Sequence, residues 1–385
     1  MLLDLRKFVA PEFVFGGGAA GLAGRHARNL GARRLLVVTD EGVARHGWTG
    51  LVLESLKREG LSSVVFPDVS SNPRDSEVMA GADLCLRKGC DAIVAVGGGS
   101  PLDCAKGISI VVTNELHVLL FEGVDNVPRP GLPLICVPTT AGSSADVSQF
   151  AIINDTKRKL KIAIVSKTMV PDAALIDPHT TTTMCAELTA YTGLDALTHA
   201  IEAYVSNASS PVTDMHALEA VRLVSANLAA AMRDPGDMEA RSRMMLGSLH
   251  AGLAFSNAIL GAVHAMAHSL GGLLDLPHGQ CNAILLEHVV GANFEAAPER
   301  FRVIGLALGA DMPPASDQAG VKQALLHALR RLTRETGVSC RLGDLGVRRD
   351  ILPELAAKAA ADPCLVTNPR PLSAEDIALI YEQAL

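Results

Sequence analysis

The sequence predicts two domains, an α/β domain over residues 1–180 and an all-α domain over residues 181–385, and three observations carry that expectation. In the first part, runs of four to six nearly all-apolar residues alternate with helical stretches, as strands covered on both faces should. After Asp177-Pro178 the chain becomes Ala- and Leu-rich, with the helical period and few β-branched runs. The length of 385 residues exceeds the roughly 250–300 at which a single core stops growing.

The strand candidates, in order, are Leu35–Val38, Ser63–Phe66, Ala92–Val96, Leu134–Val137, Phe150–Ile153, Lys161–Ile164 and Ala174–Ile176. Helical stretches such as Thr49–Glu59 and Asp75–Lys88 separate several of them, which is the βαβ pattern of a doubly wound, mostly parallel sheet with right-handed crossovers. In the second half, Asp214–Met232 and Val321–Thr336 are clear helices. The last helix opens on Ser373-Ala374-Glu375-Asp376, a capping-box pattern ahead of Ile377, Leu379 and Ile380.

Composition narrows the function. Apolar residues make up 49% but charged residues only 19%, against about 25% in ordinary domains, and aromatics only 3%. Disorder is excluded, since it needs low hydrophobicity and high charge. A net charge of −7 argues against a partner whose phosphates must be neutralised, so no nucleic acid is expected. The eight cysteines, Cys340 among them, show no C-x-x-C spacing, and Met1-Leu2-Leu3-Asp4-Leu5 lacks the apolar core of an export signal. Reduced thiols in the cytoplasm are the expectation. From Met244 to Leu274 there is no charged residue, a length that could span a bilayer. Yet Ser248, His250, Ser256, Asn257, His264, His268, Ser269 and five glycines interrupt it, so a buried helix or helix pair is expected and no membrane.

Two loops are rich in glycine. Gly16-Gly17-Gly18-Ala19-Ala20-Gly21 matches G-x-G-x-x-G, with Asp40 19 residues beyond the last glycine, but only Phe13-Val14-Phe15 precedes it. It reads as a phosphate loop or, more simply, a tight strand-to-helix turn. Gly97-Gly98-Gly99-Ser100-Pro101-Leu102-Asp103 directly follows the buried run Ala92–Val96. Its glycines let backbone N–H groups approach an anion, and the following helix N-terminus suits a pyrophosphate. Ser100 is expected as N-cap, Pro101 at the first helical position and Asp103 closing a capping box. Asp40 ends a strand, where a carboxylate accepts from an adenosine 2′-OH and repels a 2′-phosphate, favouring NAD. A third strand-end loop, Pro138-Thr139-Thr140-Ala141-Gly142-Ser143-Ser144, offers hydroxyls for ribose or phosphate, or is a turn.

The helical half carries metal-ligand spacing. Asp195 and His199 stand at i and i+4 on one helix face, and His264 and His268 repeat the spacing. His278, between Pro277 and Gly279, is expected in a loop. Five candidates is one too many for a tetrahedral site. The residues between His264 and His268 lack the Glu of a zinc protease. Imidazole and carboxylate donors suit Fe(II), Zn, Ni or Mn without choosing among them.

Taken together, Gly97–Asp103, Pro138–Gly142, Gly193-Leu194-Asp195-Ala196-Leu197-Thr198-His199-Ala200-Ile201-Glu202, Val263–His268, Pro277-His278-Gly279 and Asn282–Leu286 resemble the iron-dependent, or group III, alcohol dehydrogenases. The resemblance runs over nearly the whole chain in the family's order. It implies an NAD-binding α/β domain and an all-α metal domain, a dehydroquinate synthase-like fold with the active site in the cleft between. It implies Asp195, His199, His264 and His278 as ligands to a divalent metal, Fe(II) or alternatively Zn. His268 would sit near the nicotinamide as a non-ligand, and His268 and Asp103 are the expected catalytic groups. Cofactor contacts would come from Asp40, Asn72, Gly98, Gly99, Ser100, Asp103, Thr139, Thr140, Ser143 and Lys161. A homodimer or larger assembly is also implied. Ser143-Ser144-Ala145-Asp146 and Glu287 depart from the family's usual residues, which weakens any transfer of substrate preference.

The expected reaction is hydride transfer between a small alcohol and NAD, with a metal polarising the oxygen. One rival keeps the fold for a metal- and NAD-dependent lyase or synthase of the dehydroquinate synthase type, which would need several basic residues in a segment that has none. The other is a catalytically silent regulatory homologue, for which four intact ligands have no use.

Overall fold

The computed structural model describes residues 6–338 and 341–385, so the stretch Met1–Leu5 and Cys340 lie outside the described residues. The backbone separates into two compact units: Ala10–Met184, and Cys185–Leu385 together with the residues just before Ala10.

The first unit is built from β1 (Glu12–Phe15), α1 (Ala23–Asn29), β2 (Arg34–Val38), α2 (Glu41–Arg45), α3 (Trp48–Arg58), β3 (Ser62–Phe66), α4 (Asp75–Lys88), β4 (Ala92–Gly97), α5 (Gly99–Asn114), β5 (Gly123–Val124), β6 (Leu134–Pro138), β7 (Phe150–Asp155), β8 (Leu160–Val165) and β9 (Ala173–Ile176). Its main sheet has the order β1-β9-β6-β4-β2-β3, with every pair parallel. The central strands are apolar on both sides because both faces are covered. Leu36, Val38, Ile93 and Ala95 point into one buried cluster, and Leu35, Val37, Val94 and Val96 into the other. The strand order reverses between β2 and β4, so their carboxyl ends flank the kind of crevice where open α/β sheets bind ligands.

Two differences from the sequence reading have physical causes. Glu12–Phe15 is a parallel edge strand paired with β9, from Glu12 opposite Ala173 to Phe15 opposite Ile176. It is too short and too near the chain start to register as a periodic segment. Phe150–Ile153 and Lys161–Ile164 do not join the main sheet. They form the antiparallel hairpin β7–β8, in a separate three-stranded sheet with β5. A parallel crossover takes a dozen or more residues, and here four residues turn the chain. Asp155 Oδ1 closes that turn by accepting from the Lys157 and Arg158 N–H groups, both at 2.9 Å.

The second unit is helical: α6 (Ala186–Val205), α7 (Pro211–Arg233), α8 (Met238–Ala258), α9 (Ala262–Leu274), α10 (His278–Asn293), α11 (Pro298–Ala307), α12 (Gln318–Thr336), α13 (Leu352–Ala360) and α14 (Ala374–Gln383). The Ser373 capping box forms, with the Asp376 N–H donating to Ser373 Oγ at 3.2 Å and the Ser373 N–H to Asp376 Oδ2 at 3.0 Å. The uncharged stretch Met244–Leu274 is split between α8 and α9, which meet at 98°. No single helix among the described residues is long and apolar enough to cross a membrane. Its polar side chains are partnered inside the protein, as burial requires: Ser269 Oγ donates to the Leu355 carbonyl at 2.9 Å and Asn257 Nδ2 to the Leu253 carbonyl at 3.0 Å.

Leu36 lies fully buried on a central strand. Leu36→Ala is expected to lower the unfolding free energy by about 3 kcal/mol, read as a shift of the urea midpoint with an unchanged slope.

Candidate metal centre and cofactor crevice

At the carboxyl end of the main sheet, three loops interlock. The strand β4 runs into a turn with Gly97 at φ +158° and Gly98 as N-cap of α5. A Cβ on Gly98 would lie 3.1 Å from Thr140 Cγ2, and one on Gly99 would lie 2.9 Å from Ser143 Cβ. The turn and the loop after β6 can therefore approach this closely only without side chains on the glycines. The Thr139 N–H donates to the Gly97 carbonyl at 2.9 Å. The Ser100 hydroxyl donates to the Ser71 carbonyl, which ties the segment holding Asn72 to the same turn.

The capping box expected here is not formed. The helix α5 begins at Gly99, and no side chain caps it. Asp103 Oδ2 instead accepts from the Ile152 N–H at 3.1 Å. The helix starts two residues earlier than expected, which leaves Pro101 in the first turn, where its missing N–H is tolerated. Burial raises the Asp103 carboxyl to about 6, against the pull of Lys106, the Ile152 N–H and Lys161. Lys161, on β8, thus belongs to the same electrostatic neighbourhood. Lys106, absent from the sequence reading, is buried and donates to the Ser148 and Phe150 carbonyls at 2.9 and 2.7 Å, which fastens the end of the loop after β6 to α5. An isolated Lys gives no sequence signal for such a role.

Asp40 lies where β2 ends, beside β4 in the sheet. Its Oδ1 accepts from the Val43 N–H at 2.9 Å, capping α2, and its backbone bridges to Asp68, which brings a second acidic residue alongside. The first glycine loop has a different fate. Asp177 Oδ2 accepts from the Gly18 and Ala20 N–H groups at 2.8 and 3.3 Å, so a side chain of the protein already holds the amides that a phosphate would need. Gly16–Gly21 is a strand-to-helix turn.

The helical unit brings donors from three helices together. Asp195, His199 and Glu202 share one face of α6, at i, i+4 and i+7. His264 and His268 come from α9. His278 is not in a loop: Pro277 is the N-cap and His278 the first residue of α10, a position that suits a Pro-X start. Asp195 Oδ1 lies 3.7 Å from His264 Nε2 and 3.7 Å from His278 Nε2. Asp195, His199 and His264 are buried and offer donor atoms all within 4.8 Å of one another. The His199 ring stacks between Phe255 and His264, with centroids 4.3 and 4.5 Å away.

These residues fit a divalent cation. Ligands held about 2.1 Å from a tetrahedral metal lie about 3.4 Å apart, close to the spacings here. The Asn282 side chain shows that the lone pairs converge: its Nδ2 is 2.6 Å from Asp195 Oδ1 and 3.2 Å from both His264 Nε2 and His278 Nε2. Burial opposes charge on Asp195, but His199, His264 and His278 outweigh it and hold the carboxyl well below its usual range. Burial likewise opposes a charged His264, yet Glu202 and Asp195 raise it to about 9. A field that holds a proton this firmly favours a cation in the proton's place.

His268 has a separate partner. Its Nδ1 is 2.9 Å from Asp362 Oδ2, and its ring stacks on His278 with centroids 5.3 Å apart. Nothing local in the sequence assigns a role to Asp362 or Asn282. Asp362-Pro363 signals only a short helix start, and its partner lies 94 residues earlier. Glu287 joins α10 to α12 through an ion pair with Arg330 at 2.9 Å.

Known proteins match this chain along its length. The family described as iron-containing alcohol dehydrogenase matches residues 10–178, and that described as the C-terminal part of the Fe-containing alcohol dehydrogenase family matches residues 189–385. The chain is 41% identical to a 1,3-propanediol dehydrogenase of Citrobacter freundii, covering 96% of each. It is 36% identical to an NAD-dependent methanol dehydrogenase of Bacillus methanolicus, covering 98% of this chain and 99% of that one. Among solved structures, a 1,3-propanediol oxidoreductase superposes with a TM-score of 0.95 at 39% identity, covering 99% of this chain and 100% of that one.

Asp177→Ala should cost about 3 kcal/mol of unfolding free energy, because it strips a charged acceptor from the first glycine loop. NADH affinity, followed by fluorescence titration, should stay within about twofold of the parent. A tenfold loss would return that loop to the phosphate site.

Proposed function

The chain belongs to the iron-containing alcohol dehydrogenase family and is a metal-dependent dehydrogenase interconverting an alcohol and its aldehyde, and on that premise we propose the roles of its side chains. Asp195, His199, His264 and His278 hold the divalent metal, Fe(II) before Zn. The single observation that carries this is the convergence of His264 and His278 on Asp195 Oδ1, each at 3.7 Å. When bound, the metal supplies Lewis-acid polarisation of the substrate oxygen and NAD supplies the hydride acceptor or donor.

The protein's own groups do the rest. The uncharged segment Met244–Leu274 that carries His264 and His268 is largely buried and helps to exclude water from them. His268, oriented through Nδ1 by Asp362, is left with Nε2 to hold or pass a proton. Gly98, Gly99, Ser100, Thr139, Thr140 and Ser143 form the pyrophosphate cradle, with Asn72 and Lys161 beside it. Asp103 fastens the cradle to β7 through the Ile152 N–H rather than reacting itself. Ala10–Met184, rather than 1–180, serves as the cofactor domain and Cys185–Leu385 as the metal domain.

The substrate is a small primary alcohol or diol, in keeping with the names of the two relatives. Two copies pair in solution, supported by the exposed edge strand β1, where Phe13 and Phe15 face outward. The seven described cysteines are all free thiols, in keeping with a cytoplasmic location.

A panel of alcohols and aldehydes with NAD(H) and NADP(H), run on Fe(II)- and Zn-loaded protein, tests the reading through NADH absorbance. His264→Ala should lower turnover at least about 10³-fold while NADH affinity stays within about threefold. Full turnover by that variant in chelated buffer would sink the metal assignment. Asp40→Ser keeps an acceptor for the Val43 N–H but removes the charge. It should reduce the ratio of kcat/KM for NAD over NADP by about tenfold or more, and an unchanged ratio would remove Asp40 from the ribose site.

A further inference from the structure

Glu202 is buried in the helical unit on the same face of α6 as Asp195 and His199, and its carboxylate accepts from three donors. The Gly261 N–H reaches Oε2 at 3.0 Å, the Val263 N–H reaches Oε1 at 2.6 Å, and His264 Nδ1 lies 2.6 Å from Oε2. The first two are the start of α9, whose N-cap, Gly261, has no side chain to cap the helix. Asn368 Oδ1 takes the remaining Ala262 N–H at 3.2 Å. A negative charge is also favoured at a helix N-terminus, where the backbone dipoles leave partial positive charge.

Gly261 is shaped to admit this carboxylate. A Cβ there would lie 2.9 Å from Glu202 Oε1 and 2.9 Å from Asn368 Oδ1, although the backbone, at φ −149°, is open to any residue. Glycine is needed at this position for the neighbour, not for the chain's own conformation.

From this geometry we infer that Glu202 is the positioning residue of the metal centre, a single carboxylate that both seats the start of α9 and fixes the His264 ring with its Nε2 lone pair toward Asp195. The inference rests on the reading that Asp195, His199, His264 and His278 hold the metal. A neutral imidazole has one N–H; when Glu202 takes it from Nδ1, Nε2 must be the bare nitrogen that a metal needs. Because the same carboxylate holds two backbone amides of the helix, the ring and its helix are located by one group, and that group sits on the helix that supplies two other ligands.

Glu202→Gln keeps the size but leaves one acceptor oxygen for three donors, so either the Val263 N–H or the pair formed by the Gly261 N–H and His264 loses its acceptor. Gly261→Ala pushes on the carboxylate without altering its charge, and it serves should Glu202→Gln fail to fold. Zn(II) affinity of the full-length metal-stripped protein is measured by competition with a chromophoric chelator, beside NADH affinity and melting with and without Zn(II). Glu202→Gln is expected to weaken Zn(II) binding by about 10–100-fold, with a smaller loss in Gly261→Ala and NADH affinity unchanged in both. The rise in melting temperature on adding Zn(II) should shrink in step, a readout that a purely structural role would leave intact. Zn(II) affinity within twofold of the parent in both variants would overturn the role of Glu202. Parent protein whose Zn(II) affinity is insensitive to His264→Ala would overturn the metal reading and this inference with it.

Discussion

Two carboxylates, Asp195 and Glu202, lie buried on one face of α6, and the helical unit is arranged around the positive charge they require. Buried anions are tolerated only when paired and hydrogen-bonded. Glu202 is met by two backbone N–H groups and an imidazole; Asp195 is met by Asn282 and by histidines from two other helices. One divalent cation balances the two negative charges while leaving every imidazole neutral. The acidic pair is thus at once the reason that α9 and α10 converge on α6 and the reason that a metal belongs where they meet.

A contrast of the same kind governs the two glycine loops. Each follows a strand and leads into a helix, and the first has the better literal match to a dinucleotide fingerprint. What separates them is whether the protein spends its own anion on the loop's amides. Asp177 occupies the first loop, so nothing remains there for a ligand to neutralise. At the second, Ser100 and Asp103 turn away to Ser71 and Ile152, and the helix starts without a side-chain cap.

Much of this was legible in the sequence, for identifiable reasons. Buried parallel strands such as Ala92–Gly97 leave long apolar runs, and α4 matches its periodic segment from Asp75 to Lys88. The ligand candidates on α6 and α9 show because their spacing of four is local to one helix. The sequence hid what depends on partners far along the chain. Asp103 reads as a local capping residue until Ile152 is seen to claim it. Glu202 reads as the end of a motif until α9 is placed against it, and Asp362 has no meaning without His268. His278 was misplaced because Pro and Gly on either side are loop signals as well as helix-start signals.

The order of residues along the chain sets the order in which the metal site can be assembled. The ligand candidates are all translated by His278, yet Asp362, which holds His268, and Asn368, which helps hold the first turn of α9, lie more than 80 residues further along the chain. A nascent chain therefore carries every ligand, and Glu202 to seat α9, well before the partner of His268 is made. Until that later segment leaves the ribosome, α8 is already packed on α6 and α7, but α9 lacks the cover of α13 and leaves apolar surface open, the kind of segment that chaperones engage. A chain that stops between His278 and Asp362 would carry all four ligand candidates but leave His268 without the carboxylate that orients it.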